Sequence, residues 1–223
     1  MFERTINLIG TDNFNKISNL NILLVGLGGV GSFVFESLIR AGVNNLTIVD
    51  YDVVTLSNIN RQLVANLNTV GRKKIDVAIE HAKEINNKIS IKALDIKITS
   101  ENINNLKSDY DFIVDACDSI DAKISLIKFA KEQNIKIISS MGMGNRLKPQ
   151  NIKISSLNKT INDPLAKKLR NILRKENINL NIPVVFSEEL PIKKDAINSL
   201  VTVPSIAGIY ITSYIINSVI TVS

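Results

Sequence analysis

The stretch Ile22-Leu23-Leu24-Val25-Gly26-Leu27-Gly28-Gly29-Val30-Gly31-Ser32 constrains this chain more than any other. Its apolar run reads as a buried parallel strand, and the glycines after it turn the chain sharply into a helix. Gly26, Gly28 and Gly31 stand at the spacing G-x-G-x-x-G. The first glycine allows the tight turn, the second lets the backbone approach a phosphate, and the third lets helix and strand pack closely. The helix N-terminus then offers free N–H donors and a partial positive charge to an anion. A second apolar run, Leu46 to Val49, ends at Asp50. That is where a Rossmann-type unit places a carboxylate on a ribose hydroxyl. The expected fold is α/β, a Rossmann-like, mostly parallel, doubly wound sheet. With 223 residues, 45% of them hydrophobic, the chain reads as one domain over residues 1–223.

The residues after Asp50 select the nucleotide. A nicotinamide enzyme needs one acidic residue here, whereas this chain has Asp50 and then Asp52, which could hold Mg²⁺. A polar run follows, with Ser57, Asn58, Arg61 and Gln62, and then Val70-Gly71-Arg72-Lys73-Lys74-Ile75 opens a helix to about Asn86. Cations and amides in this place suit a triphosphate, whose charge they neutralise while Mg²⁺ bridges its oxygens. The candidate ATP-binding residues are therefore Gly26, Gly28, Gly29, Gly31, Asp50, Asp52, Ser57, Asn58, Arg61, Gln62 and Lys74. A solvated loop with scattered charge is the bland alternative. A nicotinamide-dependent oxidoreductase is another, opposed by Asp52, Arg61 and Lys74.

Residues 1–20 read as one or two short helices capping the domain. Strands are expected at Ile89–Asp95, Tyr110–Asp115, Ile135–Ser140 and Asn151–Ser156, with a short helix from Thr99 to Leu106. Ligands of an open parallel sheet sit outside the carboxyl ends of its strands. Asp115 and Asp118 fall at that edge, and Asp118 is the candidate metal-bound carboxylate beside Asp52. Ser119 caps the next helix, Cys117 reads as a small packed residue at the bend, and His81 as exposed. Met141 to Asn145 reads as a flexible loop that could admit a substrate. Asp163-Pro164 starts a helix to about Lys175, with an N-cap and a proline at its first position. Lys167, Lys168, Arg170, Arg174 and Lys175 lie on it with no acid before Glu176, which suits contact with a phosphate backbone. A solvated face is the alternative.

The net charge of +6 and a pI near 9.3 fit a polyanionic partner such as RNA, although heavy use of Asn, Ile and Lys also raises the pI. No charge occurs from Ala196 to Ser223, and residues 205–221 read as an apolar helix buried on the sheet or in a dimer interface rather than inserted in a membrane. The single cysteine excludes an internal disulfide and a multi-cysteine zinc site. Met1-Phe2-Glu3-Arg4 lacks a signal-peptide pattern, so a cytoplasmic location is expected.

Taken together, the Gly26–Ser32 turn, Asp50-Tyr51-Asp52, Ser57-Asn58-Ile59-Asn60-Arg61-Gln62, Lys74 and Asp118 resemble the adenylation domain of the ubiquitin-activating-enzyme superfamily. The resemblance implies that Asp50 holds the ATP ribose and that Asp52 and Asp118 lie near Mg²⁺. It implies that Asn58, Arg61 and Lys74 contact the phosphates, with Arg61, Lys74 and Asp118 catalytic. Arg4 is similar to an N-terminal arginine that reaches into a partner subunit's ATP site, which implies a catalytic role for it in a homodimer. Within the superfamily, Arg4-Thr5-Ile6, Val114 to Ser119, Lys159 to Arg170 and Val185 to Glu189 resemble the branch of tRNA threonylcarbamoyladenosine dehydratases. That branch implies tRNA as substrate, adenylation of a threonyl carboxylate by ATP, attack by an internal carbamoyl group, and loss of AMP and net water. A monovalent cation and a sulfur-transfer or cysteine desulfurase-type partner are further expectations. Against the latter, the C-terminal region has no cysteine, and the chain is shorter than the family pattern between Pro191 and Val203. Adenylation for an internal nucleophile needs no enzyme thiol. The remaining alternatives are an activator of a ubiquitin-like sulfur carrier and a non-catalytic RNA-binding protein.

Overall fold

The computed structural model describes residues 1–107 and 109–221. Two short helices, α1 (Glu3–Ile9) and α2 (Thr11–Ser18), precede β1 (Asn21–Val25), α3 (Gly31–Ala41) and β2 (Asn45–Val49). Then come α4 (Lys74–Ile85), β3 (Ser90–Leu94), β4 (Phe112–Asp115), α5 (Ile120–Glu132) and β5 (Lys136–Ser140). The chain closes with β6 (Ile152–Ser156), α6 (Pro164–Lys175), β7 (Pro183–Ser187) and α7 (Thr202–Asn217). The strands form one sheet in the order β3-β2-β1-β4-β5-β7-β6. All pairs are parallel except β6 with β7.

Alternation along β1 explains the layers. Ile22 and Leu24 point into a core shared with α3, α4 and α7, while Leu23 and Val25 point to the opposite face, where α5 packs. Asp163 and Ser119 cap α6 and α5 as their positions before a proline and an apolar run require. Gly42 ends α3 at a φ of 101°, where a Cβ would meet the Phe14 ring at 2.6 Å, so that glycine also admits α2. β1 leads to β2 on one side, while β4 lies on its other side. The loops after β1 and β4 therefore diverge and open a crevice at the strand carboxyl ends.

Several boundaries differ from expectation. The 99–106 helix is reduced to a single turn at Ile103–Asn105, and α4 starts at Lys74 because the chain before it turns back along Asp52 and Val54. The helix expected at 205–221 is α7, Thr202–Asn217, with Pro204 in its first turn. β7 is a strand that no expectation covered. It is five residues long, starts on Pro183, and pairs with β5 only at Ser139–Val184 and Ser140–Val185. Among the described residues, no helix is long and apolar enough to cross a membrane.

Candidate active site

Every strand-to-helix connection that carries a candidate residue opens on that crevice. Gly26 takes a φ of 95°, and a Cβ there would stand 2.8 Å from the Ala116 carbonyl oxygen. A Cβ at Gly31 would run into the Gly26 carbonyl, so the turn closes only on two glycines. Gly28 differs: its Cβ position has nothing within 4 Å. Its missing side chain leaves room outside the protein. The N–H of Leu27 donates to Asp50 Oδ2 at 2.6 Å, and that of Asp52 to Asp50 Oδ1 at 2.9 Å. Asp50 thereby locks the turn to the end of β2. Burial is the main cause that pushes its carboxyl above the usual range, opposed by Lys74 and these two N–H bonds. The N–H groups of Gly28, Gly29 and Val30 donate to nothing among the described residues. They leave a row of free donors at the start of α3, the kind of edge an anion can occupy.

The loop from Asp52 to Lys74 faces that edge. Lys74 is buried, and its Nζ lies 2.8 Å from Asp52 Oδ2 and 3.9 Å from Asp50 Oδ1. Its neighbours are turned away: Lys73 pairs with Asp95 and Arg72 with Glu80. The stem of Arg61 passes beside Gly29, whose Cβ position is 3.3 Å from Arg61 Cγ. Arg61 Nη1 donates to Ser57 O at 2.8 Å and to Asn60 Oδ1 at 2.9 Å. Ser57 and Asn58 shape the loop as well as lining it. The Thr55 N–H donates to Asn58 Oδ1 at 3.2 Å, and the Thr55 and Ser57 hydroxyls share a 3.0 Å bond. Gln62 is buried, and its Oε1 has no partner among the described residues, leaving one unsatisfied acceptor inside this loop.

The β4 loop supplies the other wall. Asp115 and Lys123 are both fully buried, with Nζ 3.0 Å from each carboxylate oxygen and 2.7 Å from the Ser140 carbonyl. Asp115, expected at the ligand edge, is thus committed to tying β4, α5 and β5 together. The Cys117 thiol donates to Asp115 Oδ1 at 3.0 Å, and burial, then Asp115, pushes it far above the ordinary thiol range. Asp118 is exposed beyond it. Burial, then the charges of Asp52 and Asp118, raises the Tyr51 hydroxyl above its ordinary range. No cluster of three or more metal-ligating side chains occurs among the described residues. Two carboxylates fit Mg²⁺ carried chiefly by phosphate oxygens and water, and do not form a cage of their own.

Lys123 was missed by sequence reasoning, although a lysine among the buried Ala122, Leu126 and Ile127 is a core position holding a charge. Arg146 gave no local signal. It is buried and joins the Gly142 carbonyl, the Asn162 carbonyl at 3.1 Å, Asp163 at 3.3 Å and the Glu189 carbonyl at 3.1 Å. It pins Met141–Asn145, which is therefore not the free loop expected. Arg170 also departs from expectation. It turns inward to the Leu157 and Thr160 carbonyls and the Thr160 hydroxyl, while Lys167, Lys168, Arg174 and Lys175 stay exposed. His81, expected exposed, is half-buried with Nε2 2.6 Å from Glu36 Oε2. Arg4 is exposed on α1. The α1–α2 pair packs where α3 ends and β2 begins, at the amino ends of the strands, opposite the crevice. The chain's own fold does not bring Arg4 to the site.

Several proteins of one name are similar to the molecule over most of its length. The tRNA threonylcarbamoyladenosine dehydratase of Bacillus subtilis is 40% identical over 193 residues, 86% of this chain and 76% of that protein. The Haemophilus influenzae protein of the same name is 40% identical over 178 residues, 79% of this chain and 68% of that one. The crystal structure of Escherichia coli tRNA N6-threonylcarbamoyladenosine dehydratase in complex with ATP superposes with a TM-score of 0.93 at 30% identity. It covers 98% of this chain and 93% of that chain. The sequence matches the ThiF family over residues 2–216, and with the open Gly-rich turn, Lys74 and Arg61 on one crevice, this chain belongs to that family.

Proposed function

We propose that the chain is an ATP-dependent dehydratase that adenylates the carboxylate of threonylcarbamoyladenosine in tRNA and cyclises it. The observation that carries the reading is one rim holding turn amides without partners among the described residues, two cations and two carboxylates, while the Cys117 thiol is spent on Asp115. The amides of Gly28, Gly29 and Val30 take the phosphates, and Asp50 and Gln62 offer acceptors toward the nucleoside. Asp52 and Asp118 would hold Mg²⁺, which supplies charge neutralisation on the triphosphate. The substrate carboxylate attacks the α-phosphorus and the bond to pyrophosphate breaks. Arg61 and Lys74 stabilise the charge that leaves. The carbamoyl group of the same nucleoside then attacks the activated carbon, and AMP departs with the carboxylate oxygen. The bound substrate supplies its own nucleophile, so proximity replaces an enzyme thioester.

Lys167, Lys168, Arg174 and Lys175 form the proposed tRNA contact. A homodimer, with Arg4 completing the partner subunit's site, and a cytoplasmic location belong to the same reading. The test is incubation with ATP, Mg²⁺ and tRNA from a strain lacking the dehydratase, followed by mass spectrometry of the nucleosides. ATP-dependent loss of one water from threonylcarbamoyladenosine is expected. Unchanged nucleosides, with pyrophosphate exchange stimulated instead by a small protein ending in Gly-Gly, would move the function to a carrier activator.

A further inference from the structure

Between β7 and α7 the chain crosses the molecule as an irregular strap, residues 188–201, largely exposed. Few bonds hold it. At its start, Asn162 Nδ2 donates to the Glu188 carbonyl at 2.8 Å, beside Asp163, the cap of the basic helix α6. In the middle, Asn145 takes it from three sides. The Ile192 N–H donates to Asn145 O at 2.7 Å, the Asn145 N–H to Asn198 O at 2.7 Å, and the Asn198 N–H to Asn145 Oδ1 at 2.7 Å. At its end, Asn60 Nδ2 donates to the Ser199 carbonyl at 2.9 Å. The strap thus runs from the cap of the proposed tRNA helix to the residue preceding Arg61.

The Asn60 amide has two ends with opposite roles. Its Nδ2 holds the strap, and its Oδ1 accepts from Arg61 Nη1 at 2.9 Å. The Ser199 carbonyl therefore decides which end of the amide faces the guanidinium. With that carbonyl withdrawn, the amide is free to turn, and an NH₂ group facing a guanidinium offers donor against donor. Only the Ser57 carbonyl would then still hold Nη1 beside the Gly-rich turn. From Ile192 to Asn198 every residue of the strap is exposed, and a stretch with so little buried area is the kind that moves with its surroundings.

We propose that Asn60 is a positioning residue for adenylation, holding the Arg61 guanidinium at the Gly-rich turn while the 188–201 strap is seated. The inference rests on the dehydratase reading above. The strap would then report the state of the α6 side of the molecule to Arg61.

The experiment compares wild type, Asn60→Ala and Asn60→Asp in AMP formation with tRNA carrying threonylcarbamoyladenosine. Trypsin cleavage after the exposed Lys193 and Lys194 is followed in parallel. Asn60→Asp presents an oxygen to Arg61 whichever way it turns, but gives the Ser199 carbonyl no donor. Asn60→Ala is expected to lower kcat about tenfold or more while KM for ATP stays within about threefold. Asn60→Asp is expected to recover most of that kcat, and both variants to be cleaved faster in the strap. A kcat for Asn60→Ala within about twofold of wild type, a loss confined to KM for ATP, or an Asn60→Asp as slow as Asn60→Ala would overturn the proposal. If wild type forms no AMP with this tRNA, the dehydratase reading fails by itself. Strap cleavage then decides the inference, faster in Asn60→Ala supporting it and equal to wild type overturning it.

Discussion

The glycines of the turn divide into those the protein needs and those a ligand needs. A methyl group at Gly31 would collide with backbone, so Gly31→Ala is expected to lose about 1–3 kcal/mol of stability, read as a lower Tm. A methyl group at Gly28 meets nothing of the protein. Gly28→Ala is therefore expected to keep its stability within about 0.5 kcal/mol yet bind ATP at least about tenfold more weakly by calorimetry. Equal ATP affinity in Gly28→Ala would remove the phosphate from this turn. Cys117 carries a second prediction. Its thiol is held protonated by burial and by Asp115, above the unfolded value of 9.0. A raised folded pKa gives stability that is whole below the unfolded value and is lost as pH rises through the folded one. Above pH 9 the unfolded chain releases this proton first, at a cost of up to about 1.4 kcal/mol of stability per pH unit. Cys117→Ser should flatten the alkaline limb of a denaturant-measured stability profile and leave AMP formation intact. An inactive but folded Cys117→Ser would sink the thiol-free mechanism. The spacing of the turn glycines was legible from sequence because sterics alone dictate it. The Asp115–Lys123 pair was not, since its partners meet only after β4, α5 and β5 assemble.

At the scale of the element, α6 is the sharpest case. Its sequence shows five cations in one run, yet the fold uses them differently. Arg170 lies over the turn at Leu157–Thr160, where burial lowers its pKa, and the other four face water. Neutralising Lys167, Lys168, Arg174 or Lys175 singly should weaken tRNA binding at every sequence tested and reduce the salt slope by about 1. ATP binding should not change. Arg170→Ala should instead lower stability by about 1–3 kcal/mol, because it leaves the Thr160 carbonyl without its donor while the Leu157 carbonyl keeps the Thr160 N–H and hydroxyl. A filter-binding salt titration beside thermal melts separates the two. A slope unchanged in all four variants would take the tRNA off this helix. Helix starts were legible where a cap and a proline coincide, as at Asp163-Pro164. β7 was not legible, because a five-residue strand with two register pairs to β5 draws its stability from neighbours rather than from its own pattern. The 141–145 segment reads as free from its glycines, while Arg146 and Asn145 pin it through partners more than 15 residues away.

The whole molecule raises the question of Arg4. The strand order places the crevice between the diverging loops of β1 and β4, and the α1–α2 pair packs by the α3–β2 junction at the amino ends of the strands. If Arg4 serves catalysis, geometry requires that it serve another copy's crevice. Apolar surface for such a contact is available around the site: Leu56, Leu67 and Leu200 are exposed, as are Ile209 and Tyr210 on the uncharged α7. Two individually inactive variants decide the matter. Arg4→Ala leaves a chain with an intact crevice, and Asp118→Ala leaves a chain with an intact Arg4. Mixed and allowed to exchange, they form heterodimers in which the first chain's crevice receives the second chain's arginine. Random pairing puts half the dimers in this class with one good site of two, so roughly a quarter of wild-type AMP formation should return. An arginine acting in its own chain would return nothing, because every crevice would then lack either Arg4 or Asp118. Recovery that rises with time of exchange and follows the dimer fraction on dilution would tie activity to the assembly rather than to either chain alone.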